Sequence, residues 1–440
     1  MGELGFMMLI IQYLTQINFG IPYSLNVRLS TLEGKDDTSQ QSYVGNSLIF
    51  TFFHSLLLFA LATASTYWNI PIFKKYDFYS FIYLIALNGV LQNFDIVFIN
   101  VFRIKNSLKA ITLYQAAMPV TNLIACFLWK GKDLLYALIT SQVFCYLLSL
   151  IVFLCFSPIK LKFRFKLSVQ KDLLRTGIAL LLFNASFYFI MIITRTFVSY
   201  FFSVKNLGYF SFALSFAQAS FLALDTVSFL ILPKLLNRFK HNESDDLYNK
   251  MEFVRSNYNL IAFLLIFVTI LVFPIILYFL PEYADAFKPF TLISISLAIL
   301  SGNFGISTLL ISSGKEFLLS RIALVAFLIN IALVWIISEN STTYYILCFA
   351  PLITYLLYSC LLGYFFNRVY LKKKGLQTIF SNIDWKLILP ALLLVVAILI
   401  DNKFIEVLSY LSVILLNIKR IKGLIPLIKA LITNPSLFKI

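Results

Sequence analysis

Apolar residues fill this chain in long, nearly unbroken blocks separated by short polar or basic stretches. A membrane-crossing helix needs about 20 apolar residues to traverse about 30 Å of hydrocarbon. Blocks of that kind occupy residues 3–24, 45–66, 79–101, 108–128, 133–156, 177–200, 207–233, 257–280, 288–311, 317–338 and 343–366, and two shorter ones occupy 386–400 and 403–417. The pattern predicts about thirteen spans and an all-α, polytopic membrane bundle. Inside several blocks polar residues recur at helical spacing. The first block carries Gln12 and Gln16, the third Asn88, Gln92 and Asp95, and the fourth Gln115 and Asn122. The sixth carries Asn184, Tyr188 and Arg195, and the seventh Ser211, Ser215, Gln218 and Asp225. Polar groups are costly in lipid, so such stripes face protein or water. Interhelical hydrogen bonding accounts for any single Asn or Gln; five stripes together predict a wet central cavity.

Composition agrees with the blocks. Hydrophobic residues make up 60% of the 440, charged residues only 13%, and the mean hydropathy is +0.87, where a soluble domain carries about 25% charged residues. The net charge of +16 is explained by cytoplasmic loops rich in Lys and Arg rather than by nucleic acid, since no basic stretch belongs to a soluble domain. With the loop after the first span placed in the cytoplasm and the rest alternating, 28 of the 36 Lys and Arg fall inside and seven outside, leaving Arg195 within a span. This predicts an outside N-terminus and a cytoplasmic C-terminus. No loop has room for a soluble catalytic domain, and no G-x-x-x-x-G-K-[ST] is present to drive an ATP-powered pump. The five cysteines lie in apolar runs without a C-x-x-C and read as small buried hydrophobes; two histidines, His54 and His241, are too few for a histidine-built zinc site. The tail places Ile418, Ile421, Leu424, Ile425 and Ile428 on one helix face with a basic side, suited either to an anionic inner leaflet or to an ordinary surface helix.

Two stretches repeat one pattern. "INFGIPYSLNVRLS" (17–30) ends the first block with Pro22 and Arg28, and "FLILPKLLNRFK" (229–240) ends the seventh with Pro233, Asn237 and Arg238. Both blocks run outside to inside with an even number of spans between equivalent positions, which fits a six-helix unit repeated in parallel. The second unit then begins at 177–200 and the first lacks its opening helix. The expected organisation is an N-terminal lobe over 1–165, a second lobe over 166–370, an extra helix pair over 371–418 and a basic amphipathic cytoplasmic tail over 419–440.

At "NFGIPYSLNVRLS", at "LLRTGIALLLFNASFYFIMIITRTFVSYFFSVKNLGYFSFALSFAQ" (173–218) and at "LPKLL" (232–236) the chain resembles the polysaccharide (O-antigen) flippases of the multidrug/oligosaccharidyl-lipid/polysaccharide exporter superfamily. The resemblance extends loosely over about residues 1–425 and departs from the family in the missing first helix. It implies a transporter, not an enzyme. The implied task is flipping an undecaprenyl-pyrophosphate-linked oligosaccharide, an O-antigen or capsule repeat unit, across the bacterial cytoplasmic (inner) membrane by alternating access. It implies no cofactor beyond a coupling proton or sodium ion. The implied partners are the lipid-linked oligosaccharide, membrane lipids, a polysaccharide polymerase and assembly proteins, with no nucleic acid.

The substrate-path candidates on this reading are Arg28, Asn88, Gln92, Asp95, Asn184, Tyr188, Arg195, Gln218 and Asp225, with no catalytic or metal residue among them. Arg195 has two readings: a guanidinium fork for pyrophosphate or acidic sugars, or a side chain snorkelling to the interface. Asp95 and Asp225 serve either as a coupling-ion site or in ion pairs, Asp95 with Arg103. Arg28 sits at a cavity mouth by family position and is a positive-inside anchor otherwise. His54 titrates near neutral pH or is a hydrogen-bonded structural residue. Two other functions compete: an ion-coupled multidrug or small-molecule exporter of the same superfamily, and a membrane polysaccharide polymerase, which would want a longer outside loop.

Overall fold

The computed structural model describes residues 1–32, 37–68, 70–105, 107–241, 244–369 and 375–433. The helices are α1 (Gly2–Gln16), α2 (Ile21–Leu32), α3 (Asp37–Tyr67), α4 (Pro71–Lys75), α5 (Ile82–Ile104), α6 (Leu108–Leu128), α7 (Gly131–Phe156) and α8 (Leu167–Phe201). They continue with α9 (Val204–His241), α10 (Ser244–Phe279), α11 (Phe287–Ser301), α12 (Phe304–Ser312), α13 (Glu316–Asn340), α14 (Phe349–Val369), α15 (Trp385–Leu399) and α16 (Lys403–Thr433). No strand occurs among the described residues. With no water in hydrocarbon to take up N–H and C=O groups, an apolar block that crosses a bilayer must satisfy its backbone within itself. Each of the thirteen blocks accordingly falls on helix. Among the described residues, eight helices are long and apolar enough to cross a membrane by themselves, or up to ten if each of two bent pairs is one span, and α15 is a shorter apolar helix. The protein is a multi-pass membrane protein.

Three blocks are not the single helices the sequence predicts. In the first, α1 and α2 are bent by 50° across residues 17–20, so "NFGIP" breaks a helix rather than ending one. Phe19 (φ 55°) and Gly20 (φ 72°) are both left-handed. Asn18 fixes the turn: its Nδ2 donates to the Thr15 carbonyl at 2.7 Å and its Oδ1 accepts from the Gly20 N–H at 3.0 Å. Pro22 then stands in the first turn of α2, where its missing N–H costs nothing. The sixth block starts earlier, at Leu167, and bends by 59° between Leu182 and Ser186. The ninth is interrupted at Gly302–Asn303, between α11 and α12. The tail is continuous with the last block in α16, and Arg420 is no free surface cation: it bonds Asp384 at 2.7 Å and the Ser256 hydroxyl at 2.8 Å. Cys126 and Cys155 are exposed on their helices rather than buried.

The chain forms two compact units, Met1–Tyr188 and Phe189–Ile440, the division falling within α8. In the first, α5 packs on α1, α2, α3 and α7. Its core includes Leu25, Leu29, Leu48, Phe98, Val101, Phe102 and Phe153. Gly89 brings α5 close to Leu14 of α1, where an added Cβ would lie 2.9 Å from the leucine side chain. Small residues of this kind matter because lipid is as apolar as the core, so helices associate through close packing and polar contacts. In the first turn of α7, Lys132 pairs with Asp77 at 2.8 Å; that hydrogen bond holds the Asp77 carboxyl below its usual range. In the second unit, α11 is the central helix, buried along most of its length and packed on α9, α10, α14 and α15. Phe290 of α11 stacks on Phe273 of α10 at 3.8 Å between ring centres.

Candidate functional site

The helix break at residues 17–20 is built against α8. An added Cβ at Gly20 would lie 2.0 Å from the Gly177 carbonyl oxygen, and one at Gly177 would lie 2.8 Å from that of Gly20. Two backbones touch there, which only glycine permits. From this crossing α2 runs on to Arg28, whose Nη2 donates to Asp172 Oδ1 at 2.5 Å and to the Thr176 hydroxyl at 3.1 Å. Tyr43 of α3 donates to the other carboxylate oxygen, Asp172 Oδ2, at 2.8 Å. The stretches 17–30 and 173–177, remote in sequence, therefore meet at a glycine crossing and an Arg–Asp–Tyr cluster. Arg28 and Asp172 are each about a third exposed (33% and 32%), so the guanidinium is ion-paired yet reachable.

Asp172 was not legible in the sequence because it sits in a run of cations, Lys166 to Arg175. An acid in such a run is the one signal that could have singled it out. Asp172→Ala is expected to cost about 1–2 kcal/mol, seen as a lower unfolding temperature in detergent. Lys171→Ala, at an exposed neighbour, should leave that temperature unchanged.

The polar stripe of α5 is met by neighbouring helices. Asn88 Nδ2 donates to Gln142 Oε1 of α7 at 3.0 Å, and Gln92 Nε2 donates to Asn88 Oδ1 at 2.8 Å. Asp95 is 7% exposed and accepts from the Ser149 hydroxyl of α7 at 2.7 Å. Arg103, eight residues further along α5, donates to Asn26 and, at 3.0 Å, to Asn100 Oδ1. Asn100 in turn donates to the Pro22 carbonyl at 3.0 Å. The side of α5 that carries Asn88, Gln92 and Asp95 is thus tied to α7, while Asn100 and Arg103 hold α2. His54 is buried, stacked on Phe50 with Phe19 at its edge.

In the second unit Arg195 of α8 is 5% exposed. A snorkelling arginine needs an exposed tip, so that reading does not describe it. On α9, Ser211 is buried, whereas Ser215, Gln218 and Asp225 are exposed. Tyr188, at the end of the first unit, is 37% exposed. The side chains of Asn184, Pro233, Asn237 and Arg238 lie outside the described residues.

A second polar cluster went unread in the sequence. Arg255 of α10 is 8% exposed and bonds Glu252, the Asn382 carbonyl at 3.1 Å and Asn382 Oδ1 at 2.9 Å. Asn382 then donates to Asn303 Oδ1 at 2.6 Å, and Asn303 donates to the Ser359 hydroxyl at 2.9 Å. This chain of bonds holds the interruption between α11 and α12. Among the described residues no three His, Cys, Asp or Glu side chains gather closely enough to hold a metal ion.

The family profile described as polysaccharide biosynthesis protein matches residues 29–280. The chain belongs to that family. No curated protein matches it in sequence. Among solved structures, the polysaccharide biosynthesis chain is similar in fold to the lipid II flippase MurJ in an inward closed conformation. That match has a TM-score of 0.62 and 17% identity over 99% of this chain and 92% of that one. It is similar also to an inward-facing multidrug resistance MATE family transporter of the MOP superfamily, with a TM-score of 0.67 and 11% identity over 81% and 88% of the two chains. A second MATE structure, in a bent conformation, gives a TM-score of 0.56 at 12% identity over 80% and 84%. At such identities the likeness is one of fold. The family match begins at Leu29, and so takes in α3, α5, Asp172 and Arg195, while Arg28 lies one residue before it.

Proposed function

We propose that this member of the polysaccharide biosynthesis family flips an undecaprenyl-pyrophosphate-linked oligosaccharide, an O-antigen or capsule repeat unit, across a bacterial cytoplasmic membrane by alternating access. The family match over residues 29–280 carries the reading. A fold shared with a lipid II flippase over 99% of the chain supports it. So do polar groups within the apolar helices. Exposed Gln218 and Asp225 on α9 are costly against hydrocarbon, so water must reach that face. Arg195 is the group for the pyrophosphate, its planar fork suited to phosphate oxygens. Asp95 or Asp225 takes a coupling proton or sodium ion. A polymerase and assembly proteins receive the product on the outer side.

Purified protein in liposomes, given a fluorescent polyprenyl-pyrophosphate oligosaccharide in one leaflet, should carry it to the other, read by a membrane-impermeant quencher. Protein-free rates with that lipid would end the proposal. The fold shared with multidrug transporters favours a second reading, an ion-coupled exporter of small molecules. Gradient-driven movement of a cationic dye with no movement of the sugar lipid would decide for it. The proposed topology is tested separately: a periplasm-active reporter should be live after Asp285 or Glu339 and dead after Gly314, and the reverse pattern would invert the orientation.

A further inference from the structure

The segment from Lys160 to Leu167 alternates cation and apolar residue: Lys160, Leu161, Lys162, Phe163, Arg164, Phe165, Lys166, Leu167. It lies outside any helix up to Lys166, just before α8 begins at Leu167, and it is fixed to α3 at several points. Asn46 of α3 donates to the Arg164 carbonyl at 3.2 Å and accepts from the Lys166 N–H at 2.9 Å. Gly45 lets this segment lie directly on the helix, since an added Cβ there would be 2.0 Å from the Lys162 carbonyl oxygen. Leu161 packs into the core. All four cations are left exposed, and so is Phe163, at 63%. The acid nearest in sequence, Asp172, is already engaged by Arg28 and Tyr43.

Phe163 also forms one wall of a groove of about 420 Å³ between α3, α5 and α7, with Phe52, Phe94, Phe98, Leu150 and Leu154 among its other walls. Every side chain lining it is apolar. Its volume is that of a small-molecule pocket, for which about 300–1,000 Å³ is usual. Phe52 and Leu154 are 54% and 45% exposed, so the groove opens sideways from an apolar helix surface. Lys162 and Arg164 flank Phe163 in the chain, their Cα atoms each about 3.8 Å from its own. Phe163 thus lines the groove while the cations on either side of it in the chain are exposed.

We propose that this groove and the 160–166 segment form a binding site for one anionic bilayer phospholipid, its acyl chain between α3, α5 and α7 and its phosphate on Lys162 and Arg164. The charge row chooses the occupant. Cations near a membrane surface attract acidic lipids, whereas a bare apolar concavity takes any chain. The site lies wholly within the first unit and does not depend on which substrate the protein carries.

The test uses Phe163→Trp in the full-length protein, reconstituted in zwitterionic liposomes. Phosphatidylglycerol brominated on its acyl chains is titrated in, and phosphatidylcholine brominated likewise in a parallel series. Quenching of the four native tryptophans, measured without the substitution, is subtracted. Brominated phosphatidylglycerol should quench the reporter at roughly a tenth of the mole fraction needed with phosphatidylcholine. Adding Lys162→Gln and Arg164→Gln should bring the two lipids together. So should about 1 M salt on the unaltered charges, where screening acts within about 3 Å. Equal quenching by the two lipids in the reporter overturns the proposal, as does a preference that survives both the double substitution and the salt. Unlabelled polyprenyl phosphate that relieves quenching at a lower mole fraction than unlabelled phosphatidylglycerol would give the groove to a carrier lipid, and overturns it too.

Discussion

Gly20→Ala is expected to leave little correctly folded protein in the membrane. The residue's φ of 72° is left-handed, which costs a residue with a Cβ about 1–2 kcal/mol. The added carbon would also lie 2.0 Å from the Gly177 carbonyl oxygen and 2.5 Å from its carbon. These are backbone atoms of a packed helix, so α2 and α8 would have to move apart. Overpacking of that kind costs about 1–3 kcal/mol more, and separating the helices strains the Arg28–Asp172 contact built on the same crossing. Together the losses approach the lower end of the 5–15 kcal/mol, roughly, by which domains are stable. Yield of monodisperse protein in detergent and its unfolding temperature measure the effect. Gly177→Ala should do less harm, because the added carbon keeps 2.8 Å from its nearest contact and no left-handed φ is involved. Gly423→Ala, with nothing within 4 Å of the new carbon, should be neutral or slightly stabilising. A Gly20→Ala protein as stable as the parent would mean that α2 and α8 do not cross in this way.

Arg195→Ala is expected to lower sugar-lipid translocation by roughly 10²-fold, the equivalent of a buried charge contact of about 3 kcal/mol, while the protein still inserts. Its 5% exposure means that the guanidinium is held inside the protein rather than reaching for the interface. Arg195→Lys should retain part of the activity, since it keeps the charge and loses the planar fork. Arg195→Gln should behave like Ala. A purely structural arginine would give a different pattern, in which activity falls only as far as the amount of folded protein falls. Initial rates normalised to inserted protein separate the two. Full complementation of a flippase-null strain by Arg195→Gln at normal protein level would take Arg195 out of the substrate path, leaving Asp95 and Asp225 to be explained by ion coupling.

The candidate site was legible where its residues share one helix. Asn88, Gln92 and Asp95 form a stripe because helical periodicity is written locally, and α5 turns that stripe to α7. What each stripe faces was not written there. On α5 the stripe meets Gln142 and Ser149, while on α9 the residues Gln218 and Asp225 are left exposed. Nothing in the two local patterns tells these outcomes apart. Arg28 drew attention by its position, but its partner lies 144 residues away. Arg255 and Asn382 are separated by 127 residues and carry no shared motif.

The sequence by itself determined that this is an all-α membrane protein and that its apolar blocks fall on helix. The reason is solvation: lipid offers the backbone no hydrogen bonds, so a long apolar block has to close its own. It also carried enough of the family's pattern for the polysaccharide biosynthesis class to be read from short stretches. Only the tertiary structure decided that "NFGIP" is a turn inside a span, since a left-handed Phe19 and Gly20 are stable there because Gly177 leaves room for them. It alone decided that the basic segment after α7 is a fixed row of charges, because Gly45 and Asn46 hold its backbone on α3. Close backbone contacts and ion pairs of this kind depend on which helices become neighbours, and that is settled by packing across the whole unit, not by any one stretch of chain.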